Sequence, residues 1–169
     1  MKLVHEKLPH LQELYIQRLR MMLSAEELMV RGLPRMAETA TDAELKHVFR
    51  MHVEETEAHA LRLRTILGRL TAESDPIKSK VIAALLDEAE DMIKEADHET
   101  LRDAALIAAA QCVEHYEIAA YGTVRHYARV LGRDEDATLL DQTLQEEGRA
   151  DHRLSAIAER VNPAARKAA

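Results

Sequence analysis

Glu26, His52, Glu55, His59, Glu114, Glu117, Glu147 and Asp151 fall on helix faces that are otherwise apolar. Stepping by alternating threes and fours, the rhythm of one helix face, the first stripe reads Leu8, Gln12, Tyr15, Leu19, Met22, Glu26, Met29 and Leu33. The second reads Leu45, Val48, His52, Glu55, His59, Leu63 and Ile66. The third reads Ile107, Ala110, Glu114, Glu117, Tyr121, Val124, Ala128 and Leu131, and the fourth Leu140, Leu144, Glu147, Asp151, Leu154 and Ala158. Each stripe is apolar at its ends and ionisable in its middle. A carboxylate taken into a dry core costs several kcal/mol after relaxation, and converging carboxylates repel one another as well. No Lys or Arg stands on these inward positions to offset them. Divalent ions would, because they bring positive charge and accept oxygen and imidazole ligands. Helical bundles build such sites from one Glu on each of two helices and a Glu/His pair on each of the other two.

Any one of these residues has a plainer reading. A single Glu on an apolar face can keep its carboxylate at the rim, with its stem against the core. His52 alone would pass for a hydrogen-bonded core histidine. Glu54, Glu57 and Glu146 read as a solvated face. The case for a site is the coincidence of four acidic breaks at matching heights.

The elements that would position them are almost wholly helical. A first helix is expected over about Leu8 to Val30, bent or broken by Gly32 and Pro34, with a short helical turn through Ala37. Thr41 or Asp42 would cap a second helix running to about Leu70. Ser74-Asp75-Pro76 would restart the chain with Pro at the first helical position, giving a shorter helix to about Ala96. A long helix from about Glu99 to Leu131 would close at Gly132. The last would run to about Val161 and stop at Asn162-Pro163. The expected fold is therefore all-α: a four-helix bundle of two helical hairpins joined by an extra crossover helix, one domain with frayed ends at about 1–7 and 164–169.

Composition agrees. The 169 residues are 47% hydrophobic and 31% charged, with only 3% aromatic, five Gly and four Pro. That mixture favours helices and starves strands. A net charge of −7 speaks against nucleic acid, which needs a basic face. No apolar run approaches the length of a membrane span. The single Cys112 forms no internal disulfide and suits a reducing compartment. With no apolar leader visible, a cytoplasmic protein is expected. There is no Gly-rich phosphate loop, and Cys112 lacks a basic neighbour on its own helix face.

The runs Asp103-Ala104-Ala105-Leu106-Ile107-Ala108-Ala109-Ala110-Gln111, Val113-Glu114-His115-Tyr116-Glu117-Ile118-Ala119 and Tyr121-Gly122-Thr123 carry a more specific signal. With Ala25-Glu26, Leu33-Pro34 and Glu54-Glu55-Thr56-Glu57, they resemble the YciE/YciF family of bacterial stress proteins over about Leu8 to Ala158. The resemblance implies a ferritin-like fold, dimerisation, a rubrerythrin-like dimetal position and a role in stress response, with no established reaction. It assigns Glu26 and Glu114 as the single glutamates of two core helices. Glu55 with His59, and Glu147 with Asp151, match the paired ligands of the other two. Both pairs are spaced i, i+4 where Glu-x-x-His is usual, and Asp151 stands where a histidine is usual. Glu117 and His52 are extra ligands or supports, and Tyr121 is a support.

The expected function is a divalent-metal protein, most simply with two iron ions (zinc or manganese in their place), which react with a small oxidant such as dioxygen or peroxide. The alternative is a non-enzymatic dimeric stress protein whose metal is structural or absent. The motive for a homodimer on the sequence itself is the apolar surplus Ile77, Val81, Leu85, Met92 and Ile93 on the crossover helix. The same residues could simply cap the bundle. Gly122 and Gly148, inside expected helices, suggest close helix approach or ordinary tolerance.

Overall fold

The computed structural model describes residue 8, residues 10–70 and residues 73–167. It holds five helices: α1 (Leu11–Thr39), α2 (Ala43–Leu70), α3 (Lys80–Glu95), α4 (Glu99–Val130) and α5 (Asp134–Lys167). Among the described residues there is no strand. The most extensive contacts are within the hairpins α1–α2 and α4–α5; α2 then packs on α5, α1 on α4, and α3 on α4 and α1. The chain is thus two hairpins in a four-helix bundle, with α3 as the crossover laid across one side.

Local chemistry sets the boundaries. Asp42 caps α2, its Oδ1 accepting from the backbone N–H of Glu44 at 3.1 Å and of Leu45 at 3.0 Å. Buried Asp103 of α4 reaches across to the α1–α2 turn and accepts from Thr41 N, Thr41 Oγ1 and Asp42 N at 2.8, 2.6 and 2.8 Å. One carboxylate therefore joins the two hairpins. α4 ends in a Schellman motif: Gly132 has φ +69°, Arg133 N–H donates to Ala128 O at 2.8 Å, and Gly132 N–H to Arg129 O at 3.1 Å.

Three expected boundaries are corrected. α1 does not break at Gly32 and Pro34 but continues to Thr39. An interior Pro costs about 3 kcal/mol, whereas Leu33, Met36 and Ala37 beside it are buried in the core, and each large side chain returns about 1.5–3 kcal/mol. α3 starts at Lys80 rather than Pro76, capped by the Ser79 hydroxyl. Residues 75–79 are pinned as irregular chain along α1. Arg20 Nε donates to Asp75 O at 2.7 Å, Ile77 N–H to Arg20 O at 3.1 Å, and Ser79 N–H to Ser24 Oγ at 3.1 Å. α5 passes through Pro163 to Lys167, held by buried Val161, while Glu159, whose carbonyl the ring displaces, is exposed. Residues 164–167, expected to fray, are therefore helical. Residues 1–7 and 168–169 lie outside the described residues.

The core is in two parts. One apolar cluster gathers Met29, Leu33, Leu45, Phe49, Ile82, Leu106, Ile107, Leu154 and Ile157 with their neighbours. The other gathers Tyr15, Leu19, Leu23, Leu63, Ile66, Leu67, Val124 and Leu140. Between them, at the mid-height of α1, α2, α4 and α5, lies a polar layer.

Candidate metal centre

That layer contains Glu26 from α1, His52 and His59 from α2, Glu114 and Glu117 from α4, and Glu147 from α5, none more than 3% exposed. The helices deliver them because each sits on the inward stripe of its helix, between apolar residues that bury the backbone on either side. Two triads form, Glu26–His59–Glu147 and His52–Glu114–Glu147, in each of which the nearest ligand atoms lie within 4.8 Å of one another. Glu147 belongs to both.

The distances are those of His–carboxylate ion pairs and are also short enough for ligands around a shared centre. His59 Nδ1 lies 2.9 Å from Glu147 Oε1 and 3.7 Å from Glu26 Oε2. His52 Nε2 lies 3.2 Å from Glu114 Oε1 and 3.7 Å from Glu147 Oε2. Atoms each about 2.1 Å from one ion fall about 3 Å apart at right angles. Pairing within the layer accounts for only part of the arrangement. His59 Nδ1, Glu26 Oε2 and both oxygens of Glu147 meet an opposite partner within 3.7 Å but without hydrogen-bond geometry, while Glu114 Oε2 and Glu117 Oε1 are buried with no hydrogen-bond partner. Buried polar atoms are paired in all but a few cases, so these two oxygens, with the loosely paired atoms around Glu147, leave room for a cation.

Electrostatics point the same way. Burial pushes the Glu147 carboxyl up to about 7; contact with His59 opposes this and the charge of Glu26 adds to it. Burial, then the charges of Glu26, Glu147 and Glu114, holds Glu117 well above the ordinary carboxylate range. Burial, then Glu26 and Glu147, raises the Tyr121 phenol. For the histidines burial opposes charge, but the carboxylates prevail: Glu147 and Glu26 push His59 up to about 10, and Glu114 and Glu55 hold His52 well above its usual value. The layer therefore balances its acidic oxygens by holding protons on its imidazoles and carboxyls.

The far nitrogen of each histidine is also engaged. His59 Nε2 meets Glu146 Oε2 at 3.0 Å, and Arg62 holds both Glu146 oxygens. His52 Nδ1 meets Glu55 Oε2 at 3.1 Å, and Arg153 donates to that same oxygen at 2.7 Å. Burial acts to raise both outer carboxyls, but hydrogen bonds and the arginines hold Glu146 and Glu55 below their ordinary value. Tyr121 donates its hydroxyl to Glu26 Oε1.

Of the residues singled out from the sequence, the structure brings Glu26, His52, His59, Glu114, Glu117 and Glu147 together. Glu55 stands outside both triads, behind His52. Asp151 is also outside: its Oδ1 accepts from Gln111 Nε2 at 3.3 Å and lies 3.3 Å from His115 Nε2. Sequence reasoning left Glu146 on a solvated face and passed over Arg62 and Arg153. The available signals were the doublet Glu146-Glu147 and the spacing of Arg62, three residues after His59. Both flank the inward stripe and face the α2–α5 seam.

Residues 10–166 match the family described as "Domain of unknown function (DUF892)". The chain belongs to this family. It is 36% identical to Protein YciF of Escherichia coli (strain K12) over 149 residues, 88% of this chain and 90% of the relative. The crystal structure of the E. coli stress protein YciF superposes with a TM-score of 0.88 at 34% identity, covering 92% of this chain and 99% of that one. YcfI of Rhodopseudomonas palustris gives a TM-score of 0.86 at 34% identity, covering 89% and 96%. A ferritin-like, diiron-carboxylate protein of Bacillus anthracis gives 0.67 at 19% identity, covering 89% and 99%. This DUF892 chain therefore has the ferritin-like fold. No helix among the described residues is long and apolar enough to cross a membrane.

Proposed function

We propose that this chain binds two divalent metal ions in the polar layer, Glu26 and His59 serving one, His52 and Glu114 the other, and Glu147 both. The observation that carries this reading is the convergence of buried carboxylate and imidazole atoms from four helices around Glu147, with Glu114 Oε2 and Glu117 Oε1 among them lacking a hydrogen-bond partner. Mixed oxygen and nitrogen donors suit iron, manganese or zinc. Iron is preferred because the fold is shared with a diiron-carboxylate protein. Bound ferrous ions would supply electrons to a small oxidant, dioxygen or peroxide. The chain's own part is to orient the ligands, to exclude bulk water with the apolar clusters on either side, and to hold protons: on Glu117 within the layer, and on Tyr121 at Glu26 Oε1. A dimer through α3, where Val81 is 45% exposed, belongs to the same proposal.

The test is elemental analysis of protein purified without chelator, counted per chain. About two ions per chain are expected, and Glu26→Ala with Glu114→Ala should remove both. Unchanged metal content in the double variant would reject the assignment. Consumption of dioxygen or peroxide by the ferrous-loaded chain separates a reactive centre from a structural one.

A further inference from the structure

We propose that Arg62–Glu146 and Arg153–Glu55 are two clasps that fix the tautomers of His59 and His52, so that His59 ligates through Nδ1 and His52 through Nε2. The inference rests on the metal reading above and deepens it by adding positioning residues outside the ligand set.

The argument is one of donors and acceptors. Arg62 donates to both oxygens of Glu146, and Gln142 Nε2 donates to Oε1 at 3.2 Å. A carboxylate so held has only acceptor capacity left, so the ring nitrogen facing it, His59 Nε2, must carry a proton. The nitrogen left to face the layer is Nδ1, 2.9 Å from Glu147. Arg153 does the same through Glu55, whose contact with His52 Nδ1 leaves Nε2 free toward Glu114 and Glu147. Both histidines come from one helix, seven residues apart, and ligate with opposite nitrogens. Their clasps cross the α2–α5 seam in opposite senses: Arg62 is on α2 and Glu146 on α5, while Glu55 is on α2 and Arg153 on α5. Imidazole ligands whose second nitrogen is bound to a carboxylate are oriented by it, and losing such a partner typically weakens metal binding about ten- to hundredfold.

The experiment uses zinc, which is diamagnetic. In the wild-type protein labelled with 15N-histidine and loaded with zinc, the ring shifts should show His59 metallated at Nδ1 and protonated at Nε2, and His52 the reverse. Glu146→Ala should lower zinc affinity about ten- to hundredfold in chelator competition and lose the fixed pattern at His59 alone. Glu146→Gln keeps an oxygen acceptor and should restore the pattern. A cross-bundle ion pair with a purely structural role would shift the melting temperature without changing which nitrogen binds. If Glu146→Ala does not fold, Glu55→Ala, on the half-buried clasp at His52, makes the same comparison. Ligation of both rings through the same nitrogen, or wild-type affinity and pattern in the Ala variants, overturns the inference while leaving the metal reading intact. Absence of zinc from the wild-type protein overturns both.

Discussion

The two apolar clusters and the layer between them are built on the same four helices and the same 3.6-residue period, yet obey opposite energetics. In the clusters, Leu19, Leu63, Ile66 and Val124 are fully buried, and every methylene removed from water adds stability. In the layer, Glu26, Glu114, Glu117 and Glu147 are just as buried, and oxygens without a hydrogen bond, such as Glu114 Oε2 and Glu117 Oε1, subtract from it. The clusters can therefore carry a layer that would not fold by itself, and stability alone does not explain that layer. A metal ion, a proton or a mutation should act with opposite sign in the two regions.

Protons test the contrast most strongly. Glu147, pushed up to about 7 in the folded chain, has an unfolded value of about 4.3. A raised folded pKa means that the folded state binds the proton more tightly. The contribution is fully present below the unfolded value and is lost as pH rises through the folded one. His59, pushed up to about 10, behaves alike: its contribution is present below about 6.5 and is lost toward its folded value. Neutral buried histidines would have opposed the carboxyls; the charged ones in this layer reinforce them. Metal-free protein should thus lose on the order of 3 kcal/mol from the layer between about pH 5 and pH 8, Glu147 and His59 titrating as an interacting pair. Metal should reverse the slope, since ligands must shed protons to bind it. Urea melts at both pH values, with and without chelator, check this; a flat metal-free profile would show the layer satisfied by protein or water.

Deletion in the two regions should also diverge. Leu63→Ala, in the apolar cluster, should cost about 2–5 kcal/mol, equally at both pH values and with metal content unchanged. Glu117→Gln, in the layer, removes a carboxyl whose Oε1 has no partner and should stabilise the metal-free form by about 1 kcal/mol at alkaline pH. Denaturant midpoints give both; loss of stability in the Glu117 variant at that pH would mean that its carboxyl is paired after all.

Much of this division was legible in the sequence, because the inward stripes are periodic and their acidic breaks are conspicuous. Glu26, Glu114, Glu117 and Glu147 were placed by period alone, and the five helices by period and caps. What period cannot tell is the rotation of a helix within its stripe. Residues 52, 55 and 59 all lie within one broad face of α2, and only the packing of α5 decides that His52 looks inward and Glu55 toward the seam. Asp151, one turn beyond Glu147, turns out toward Gln111 and His115 for the same reason. The break expected at Pro34 and the helix start expected at Pro76 failed on tertiary terms. Burial around Leu33 and Met36 outweighed a local cost, and hydrogen bonds with Arg20 and Ser24 held residues 75–79 outside the helix.

The smallest expected effect concerns the glycines next to the layer. Gly148 follows Glu147 directly, and Gly122 follows Tyr121, so a close helix approach that shapes the site was one reading of them. The geometry gives no such approach: a Cβ built at either position meets nothing within 4 Å. Both are helix-interior glycines of ordinary conformation, and each costs about 0.5–1 kcal/mol relative to Ala. Gly148→Ala and Gly122→Ala should therefore raise stability by about that much each, additively, without altering metal content. Gly132 supplies the opposite control. Its surroundings are equally open, but its φ of +69° belongs to the left-handed region, where a Cβ costs about 1–2 kcal/mol, so Gly132→Ala should lower stability. Melting temperatures of the three variants rank them. A loss of metal in Gly148→Ala would mean that the polar layer depends on backbone flexibility behind Glu147, and that the line between supporting clusters and costly layer falls within a single helical turn of α5.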